Sequence, residues 1–447
     1  MLPPAATPAA PLVAPVAGPT VTPASLQQLT LADAVDLALR NNPATRISWA
    51  QARAAADLYG ASKGAWYPTL DAAAAITRSK SVAVPGRIGG ERTTYTPSVT
   101  LSWLVLDLGG RAANVDAARQ TAIAADLSHN SVVQNTILQV QGAVFTYLGT
   151  RALRDAQKSA LDEANANLAA AEERHRVGLA TIADVLQART AKSQAELDLE
   201  ALQGQLQVSR GGVAVAMGLP ANTAFDIPDV PPADSTQSVT QSIDSLLALA
   251  VRTRPDLAEA QAQAQAALAQ VRVARSAGLP SLALSATGGY SGSNIPDFSG
   301  RTYTLNLGVQ IPLFEGFSRL YNTRAAQAQA DAAAAHAEFT RQQVMLQVFS
   351  SYYALQTAAQ RVRTSGDLLA SALQSEQVAR GRYTEGVGSI VDLLLAQSAL
   401  ASARAQAVQS RWQWRQALAQ LAHDAGVLGI HGETLLPLSS DAPGSDR

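Results

Sequence analysis

No proline occurs from Ser98 to Leu219, nor from Leu313 to Leu436, in a chain of 447 residues that carries 21 prolines. Proline breaks helices by removing a backbone donor and clashing with the preceding turn, so two such gaps single out long uninterrupted helices. Helical periodicity runs from Arg111 to about Val177, which at ~1.5 Å per residue predicts a rod of roughly 100 Å. Helices in compact domains average about 11–12 residues, so the pattern predicts a coiled-coil or tube-like assembly. Composition agrees: alanine is the dominant residue and aromatics are only 5%. Alanine favours helix and lets neighbouring backbones approach closely.

The chain is written twice. LTLADAVDLALRNNP ends at Pro43 and SIDSLLALAVRTRP at Pro255, 212 positions on. WYPTLDAAAAIT and GLPSLALSATGG enter strand-like runs at Pro68 and Pro280, again 212 apart. LDLGGR ends at Arg111 and FEGFSR at Arg319, 208 apart. The organisation expected is an N-terminal Pro/Ala-rich extension (1–28), a first copy (29–219), a Pro- and Asp-rich linker (220–241), a second copy (242–424) and a tail (425–447). The extension is uncharged and lacks the basic and apolar regions of a signal peptide. It reads as a mature N-terminus behind a start Met, or as a natural linker.

Each copy contains two runs of period-2 alternation. Tyr95, Pro97, Val99, Leu101, Trp103 and Val105 share one face, with Thr94, Thr96, Ser98, Thr100 and Ser102 on the other. In the second copy Tyr303, Leu305, Leu307, Val309 and Ile311 oppose Thr304, Asn306, Gly308 and Gln310. The partner strands alternate likewise, Leu70–Ile76 against Asp71–Thr77, and Leu282, Leu284, Ala286 and Tyr290 against Ser285, Thr287 and Ser291. The pattern alone fits an ordinary half-buried sheet. Runs of about 10–13 residues also suit a tilted bilayer crossing. Trp66, Tyr67, Tyr95, Trp103, Tyr303 and Phe314 stand near strand ends, where membrane-interface aromatics belong. Four strands cannot close a membrane barrel, which needs at least about eight. An open sheet edge is not tolerated in lipid, so several chains would have to pool their strands.

A second repeated motif follows each long helix. RHRVGLATIADVLQAR starts at Arg174 and RYTEGVGSIVDLLLAQ at Arg382. Gly178 and Gly386 suit the left-handed position that ends a helix. Thr181 and Ser389 are good N-caps, and Asp184 and Asp392, three residues on, complete a capping box with Asp in place of Glu. The motif predicts a tight helix–turn–helix hairpin. The two carboxylates either cap helices or, arrayed around an axis, form an acidic ring that favours cations.

Other classes find little footing. A net charge of −1 gives no basic surface for nucleic acid. Without cysteine there is no disulfide, thiolate metal site or thiol nucleophile. The histidines at 129, 175, 336, 423 and 431 show no metal-ligand spacing, and no P-loop, nucleophile elbow or dinucleotide fingerprint appears, so no enzyme, metal or cofactor is expected. His175 beside the hairpin reads as a solvated helix residue. A soluble coiled-coil scaffold or adaptor is the other reading of the long rods.

Helix, strand pair, long helix, G-x-x-[ST]-I-x-D turn and returning helix, twice over from about Leu29 to His423, resemble the TolC-like outer membrane efflux protein family. The resemblance rests on LTLADAVDLALRNNP, the WYP entry at Trp66–Pro68, the exits LDLGGR and LFEGFSR, and the two hairpin motifs. It implies a mainly α fold with a β-barrel portion: a homotrimer whose 12-stranded barrel sits in the outer membrane, continued by an α-helical tunnel into the periplasm. It further implies a periplasmic adaptor and an inner-membrane transporter as partners in tripartite efflux or type I secretion, with a gate at the helix tips. Gly178, Thr181, Asp184, Tyr383, Gly386, Ser389 and Asp392 are the gate residues so implied, with a Tyr383–Asp184 contact as a latch. Leu106-Asp107-Leu108-Gly109 and Phe314-Glu315-Gly316-Phe317 depart from the family's aromatic-Asp-Gly-Gly exit. Leu395 stands where some members carry a second acid, so the ring on that hairpin is expected to be thinner.

Overall fold

The computed structural model describes residues 26, 28–82, 90–228, 238–239, 242–294, 299–429 and 438–439. Most of the expected N-terminal extension, the centre of the linker, His431 and the tail beyond residue 429 apart from 438–439 lie outside the described residues.

The elements follow the repeat. Helices α1 (Leu31–Asn41) and α2 (Pro43–Lys63) lead into strands β1 (Thr69–Ser81) and β2 (Gly90–Leu106), then α3 (Gly110–Arg176) and α4 (Ile182–Ala216). After the two-residue strand β3 (Ser238–Val239), the same order returns. It comprises α5 (Ile243–Thr253), α6 (Pro255–Ser276), β4 (Ser281–Ser293), β5 (Gly300–Gln310), α7 (Ser318–Thr384) and α8 (Ile390–Asp424). β6 (Leu438–Ser439) pairs with β3. The long helices match residue for residue, 67 each for α3 and α7 and 35 each for α4 and α8.

Local chemistry sets the boundaries. Thr30 and Asp33 form a capping box at α1, and the Thr30 hydroxyl and backbone N–H hold the Asp33 carboxyl below its ordinary range. Proline opens α2 and α6, at the position where its missing N–H has no helical partner to lose. Long helices with few large residues pack through small ones, and Ala188, Ala403, Ala407, Ala419 and Ala422 are all buried.

Contacts divide the chain into two units that cut across both copies. One comprises Met1–Ile47, Asn130–Arg254 and Gln343–Arg447. There Arg254, capping α5, is buried against Asp424 at the end of α8 (3.6 Å) and donates to Gln347 Oε1 of α7 (2.8 Å). The Asp424 carboxylate also accepts from Gln420 (2.9 Å) and meets His423 Nδ1 (3.0 Å).

The other unit comprises Ser48–His129 and Pro255–Gln342 and contains the four-stranded antiparallel sheet, in the order β1-β2-β4-β5. Register aligns the faces across all four strands: Leu70–Leu101–Ala286–Leu305 form one row, and Asp71–Thr100–Thr287–Thr304 the row on the opposite face. Thr100 and Thr287 share a hydroxyl–hydroxyl hydrogen bond of 3.1 Å. The apolar face is bare, with Leu70, Ile76, Leu305, Leu307 and Val309 all more than half exposed. β2 is longer than the spacing predicts, at 17 residues, because pairing with β1 continues through polar residues to Gly90.

The irregular strand exits have a common geometry. Leu108 and Gly109 take positive φ (51° and 106°), as do Gly316 and Phe317 (61° and 66°). Each exit needs two consecutive left-handed residues and supplies one glycine, in opposite order. Arg111 then ties the first junction, donating to the carbonyls of Leu104, Val105 (3.1 Å) and Ala65 (3.3 Å), with its guanidinium 4.5 Å from the Trp66 ring centre. Arg319, its counterpart, donates to the Gly278 carbonyl (3.2 Å) and faces Glu315 (3.5 Å).

Candidate functional site: the paired hairpin turns

Both turns end and restart a helix as the motif requires. After α3, Gly178 (φ 80°) donates to the His175 carbonyl (3.0 Å) and Leu179 to that of Arg174 (2.8 Å), the paired bonds of a Schellman turn. After α7, Gly386 (φ 76°) donates to Tyr383 O (3.1 Å) and Val387 to Arg382 O (3.0 Å). The second turn is tighter: Gly388 also donates to Arg382 O, and a Cβ on Gly388 would come within 3.0 Å of Arg382 Cβ. Its counterpart is Ala180, whose carbonyl contacts His175 Nδ1 at 2.9 Å. His175 is exposed and closes its own turn.

Thr181 and Ser389 cap α4 and α8 through full capping boxes. The two boxes differ in strength. Asp184 Oδ2 accepts from Thr181 N–H at 2.8 Å and from its hydroxyl at 3.0 Å. Asp392 Oδ2 accepts from Ser389 N–H at only 3.4 Å, and Asp392 is exposed. The Asp392 carboxylate is the freer of the two.

The hairpins meet in one apolar cluster. Ala171 of α3, Val185 and Ala188 of α4, Tyr383 of α7, and Ile390 and Leu393 of α8 are buried together. Burying a Leu or Ile side chain stabilises by about 1.5–3 kcal/mol, so these few residues hold four helix ends in one bundle. Arg174 closes it by donating from its guanidinium to the Tyr383 carbonyl (2.7 Å) and lying 4.7 Å from the Tyr383 ring centre.

The Tyr383–Asp184 latch is not formed within the chain. The Tyr383 hydroxyl is buried without a hydrogen-bond partner among the described residues, and the Asp184 carboxylate is taken up by Thr181. Burial, reinforced by the Asp184 charge and opposed by Arg174, pushes the phenol above its ordinary value, so it stays neutral. The physical reason is apolar packing: the ring fills the cluster and turns its hydroxyl away from water. Arg174 was legible only as a repeated arginine. Its role comes from the neighbouring hairpin, which no local motif reports. Around the turns Val177, Leu179, Ile182, Val387 and Leu395 stand exposed, and Leu186, Val391, Leu394 and Leu395 line an apolar groove of about 440 Å³.

Of the strand-end aromatics, Tyr67, Tyr303 and Phe314 are widely exposed and Trp66, Tyr95 and Trp103 partly so, with Trp103 Nε1 donating to the Trp66 carbonyl (3.1 Å). They belong to the unit that holds the sheet.

The family model for outer membrane efflux proteins matches residues 34–219 and 246–427, one match per copy, and the chain belongs to that family. Protein CyaE of Bordetella pertussis is 31% identical over 424 residues, covering 90% of this chain and 85% of its own length. The antibiotic efflux pump outer membrane protein ArpC of Pseudomonas putida is 26% identical over 398 residues, covering 87% and 80%. The crystal structure of the CmeC outer membrane channel of Campylobacter jejuni superposes with a TM-score of 0.80 at 19% identity, over 89% of this chain and 85% of that one. The protein is an efflux channel of the outer membrane with its helical portion in the periplasm. The soluble scaffold reading finds no support in these likenesses.

Proposed function

We propose that three copies close their sheets into one 12-stranded barrel and their helices into one tunnel, an exit duct for substrates handed over by a periplasmic adaptor and an inner-membrane transporter. The family works with such partners in tripartite systems. The observation that carries the pooling of copies is the sheet: one apolar face lies bare, and the edge strands β1 and β5 have no partner on their outer edges among the described residues. Lipid tolerates no such edge, so β5 of one copy pairs with β1 of the next. The protein acts as a conduit, without catalysis or cofactor.

Gly178, Thr181, Asp184, Tyr383, Gly386, Ser389 and Asp392 build the gate. Six hairpins, two per copy, then surround the axis, and the intrachain seam is clasped by Arg174 on Tyr383. By the 208-residue repeat, the seam between copies sets Arg382 against His175 in place of that buried tyrosine. The clasp is stronger within a chain than between chains, so opening starts at the seams between copies. The exposed Asp392 carboxylates line the mouth, with Leu395 in place of a second acid.

The test is single-channel recording in planar bilayers. Asp392→Ala lowers cation preference if the carboxylates face the mouth. An unchanged reversal potential under a salt gradient leaves Asp392 with its capping role alone.

A further inference from the structure

The repeat allows the seam between copies to be compared with a seam inside one chain. In the sheet β2 lies beside β4, so the start of α3 lies beside the end of α6. Their groove, about 480 Å³, is lined by Asp116, Arg272, Arg275 and Leu279, among others. Arg272 and Asp116 form an ion pair across it. Closing the ring through β5 and β1 sets the start of α7 beside the end of the next copy's α2 in the equivalent way. The offsets of 212 and 208 place Gly60 where the inner seam has Arg272, Lys63 where it has Arg275, and Arg324 where it has Asp116. The carboxylate has become a guanidinium.

The outer seam thus gathers cations. Lys63 and Arg324 are exposed, and each is held on an aromatic face, with Lys63 Nζ 4.0 Å from the centre of the Tyr59 ring and the Arg324 guanidinium 5.9 Å from that of Tyr321. Within two helical turns the nearby acids are Asp57 for Lys63 on α2 and Asp331 for Arg324 on α7; the Asp331 carboxylate already accepts from Gln327 Nε2 (3.1 Å), and Asp57 alone cannot match two cations. Tyr67, Phe314, Phe317 and Tyr321, all exposed, flank the site beneath the bare apolar face of the sheet. Two unmatched cations beside exposed aromatics, at the end of a lipid-facing sheet, match a phosphodiester with acyl chains running up the barrel wall.

Resting on the ring closure proposed above, we infer that each seam between copies binds the headgroup of an anionic phospholipid of the periplasmic leaflet through Lys63 and Arg324. Native mass spectrometry of the detergent-extracted assembly, titrated with dioleoyl phosphatidylglycerol or dioleoyl phosphatidylcholine, tests it. Phosphatidylglycerol adducts, up to three per trimer, are expected to exceed phosphatidylcholine adducts at least tenfold. Lys63→Gln with Arg324→Gln removes that preference. Gly60→Arg with Arg324→Asp, which writes the inner ion pair into the outer seam, removes it while the trimer persists. Equal retention of both lipids, a preference surviving in either double variant, or displacement by millimolar inorganic phosphate overturns the inference. A trimer that gains phosphatidylglycerol only on Asp57→Asn also overturns it, because Asp57 then satisfies the cations. The same spectra report chain number, so a failure of the ring itself is read separately.

Discussion

Replacing Arg174 with alanine removes the clasp between the two hairpins of a chain. The guanidinium donates a charge-assisted hydrogen bond to the Tyr383 carbonyl at 2.7 Å, a type that contributes about 1.5–3 kcal/mol. Its placement 4.7 Å from the ring centre adds about 0.5–1 kcal/mol at a half-exposed site. Arg174 is only half-buried, so water replaces part of both, and a loss of about 2 kcal/mol per chain is the working figure. If opening of the proposed gate also breaks this clasp, the loss shifts the closed-to-open balance by up to roughly 30-fold in each chain, at ~1.4 kcal/mol per factor of ten. In planar bilayers Arg174→Ala should raise open probability and mean conductance while the assembly stays intact in detergent. Arg174→Lys keeps a point charge and loses the planar fork, so it should fall between. Tyr383→Phe is the control: it keeps the ring and the backbone carbonyl, and the hydroxyl it removes has no hydrogen-bond partner. It should conduct as the wild type does. Wild-type conductance in Arg174→Ala, or an open channel in Tyr383→Phe, refutes the clasp.

At the first strand exit, Leu108 holds a positive φ that costs a side-chain-bearing residue about 1–2 kcal/mol, so Leu108→Gly should stabilise modestly despite the greater freedom of the unfolded chain. A lower midpoint of thermal unfolding would contradict that. Asp424→Ala leaves Arg254 buried without its carboxylate and should cost about 3–5 kcal/mol, read as early loss of helical signal on heating. Burial pushes the Glu259 carboxyl above its ordinary value, outweighing its hydrogen bond from Ser128. The native state then binds a proton more tightly than the unfolded chain does. Stability is lost as pH rises from the unfolded carboxylate's range through the raised native value. Glu259→Gln should therefore melt higher than wild type at pH 7 but not at pH 4, and equal melting at both would exclude the effect.

Long helices, the strand pairs and the hairpin turns were legible because each rests on local chemistry. Missing prolines mark α3 and α7, alternation marks the strands, and Gly178 with Thr181 and Asp184 spells one turn in a few residues. The capping box at Thr30 and Asp33 has the same spelling. What the sequence hid depends on partners distant in the chain. Arg174 meets Tyr383 only after two hairpins pack, and the buried tyrosine hydroxyl follows from the cluster it fills. The irregular strand exits looked like decay of a motif. They prove to be two left-handed residues in a row, with glycine at the second place in one copy and at the first in the other.

The ring closure proposed above requires that this chain complete its barrel only with copies of itself. The most direct measurement is the mass of the detergent-extracted protein by light scattering corrected for bound detergent. Three chains per particle are expected. A stable, monodisperse single chain would contradict it, because the outer edges of β1 and β5 would then be tolerated unpaired.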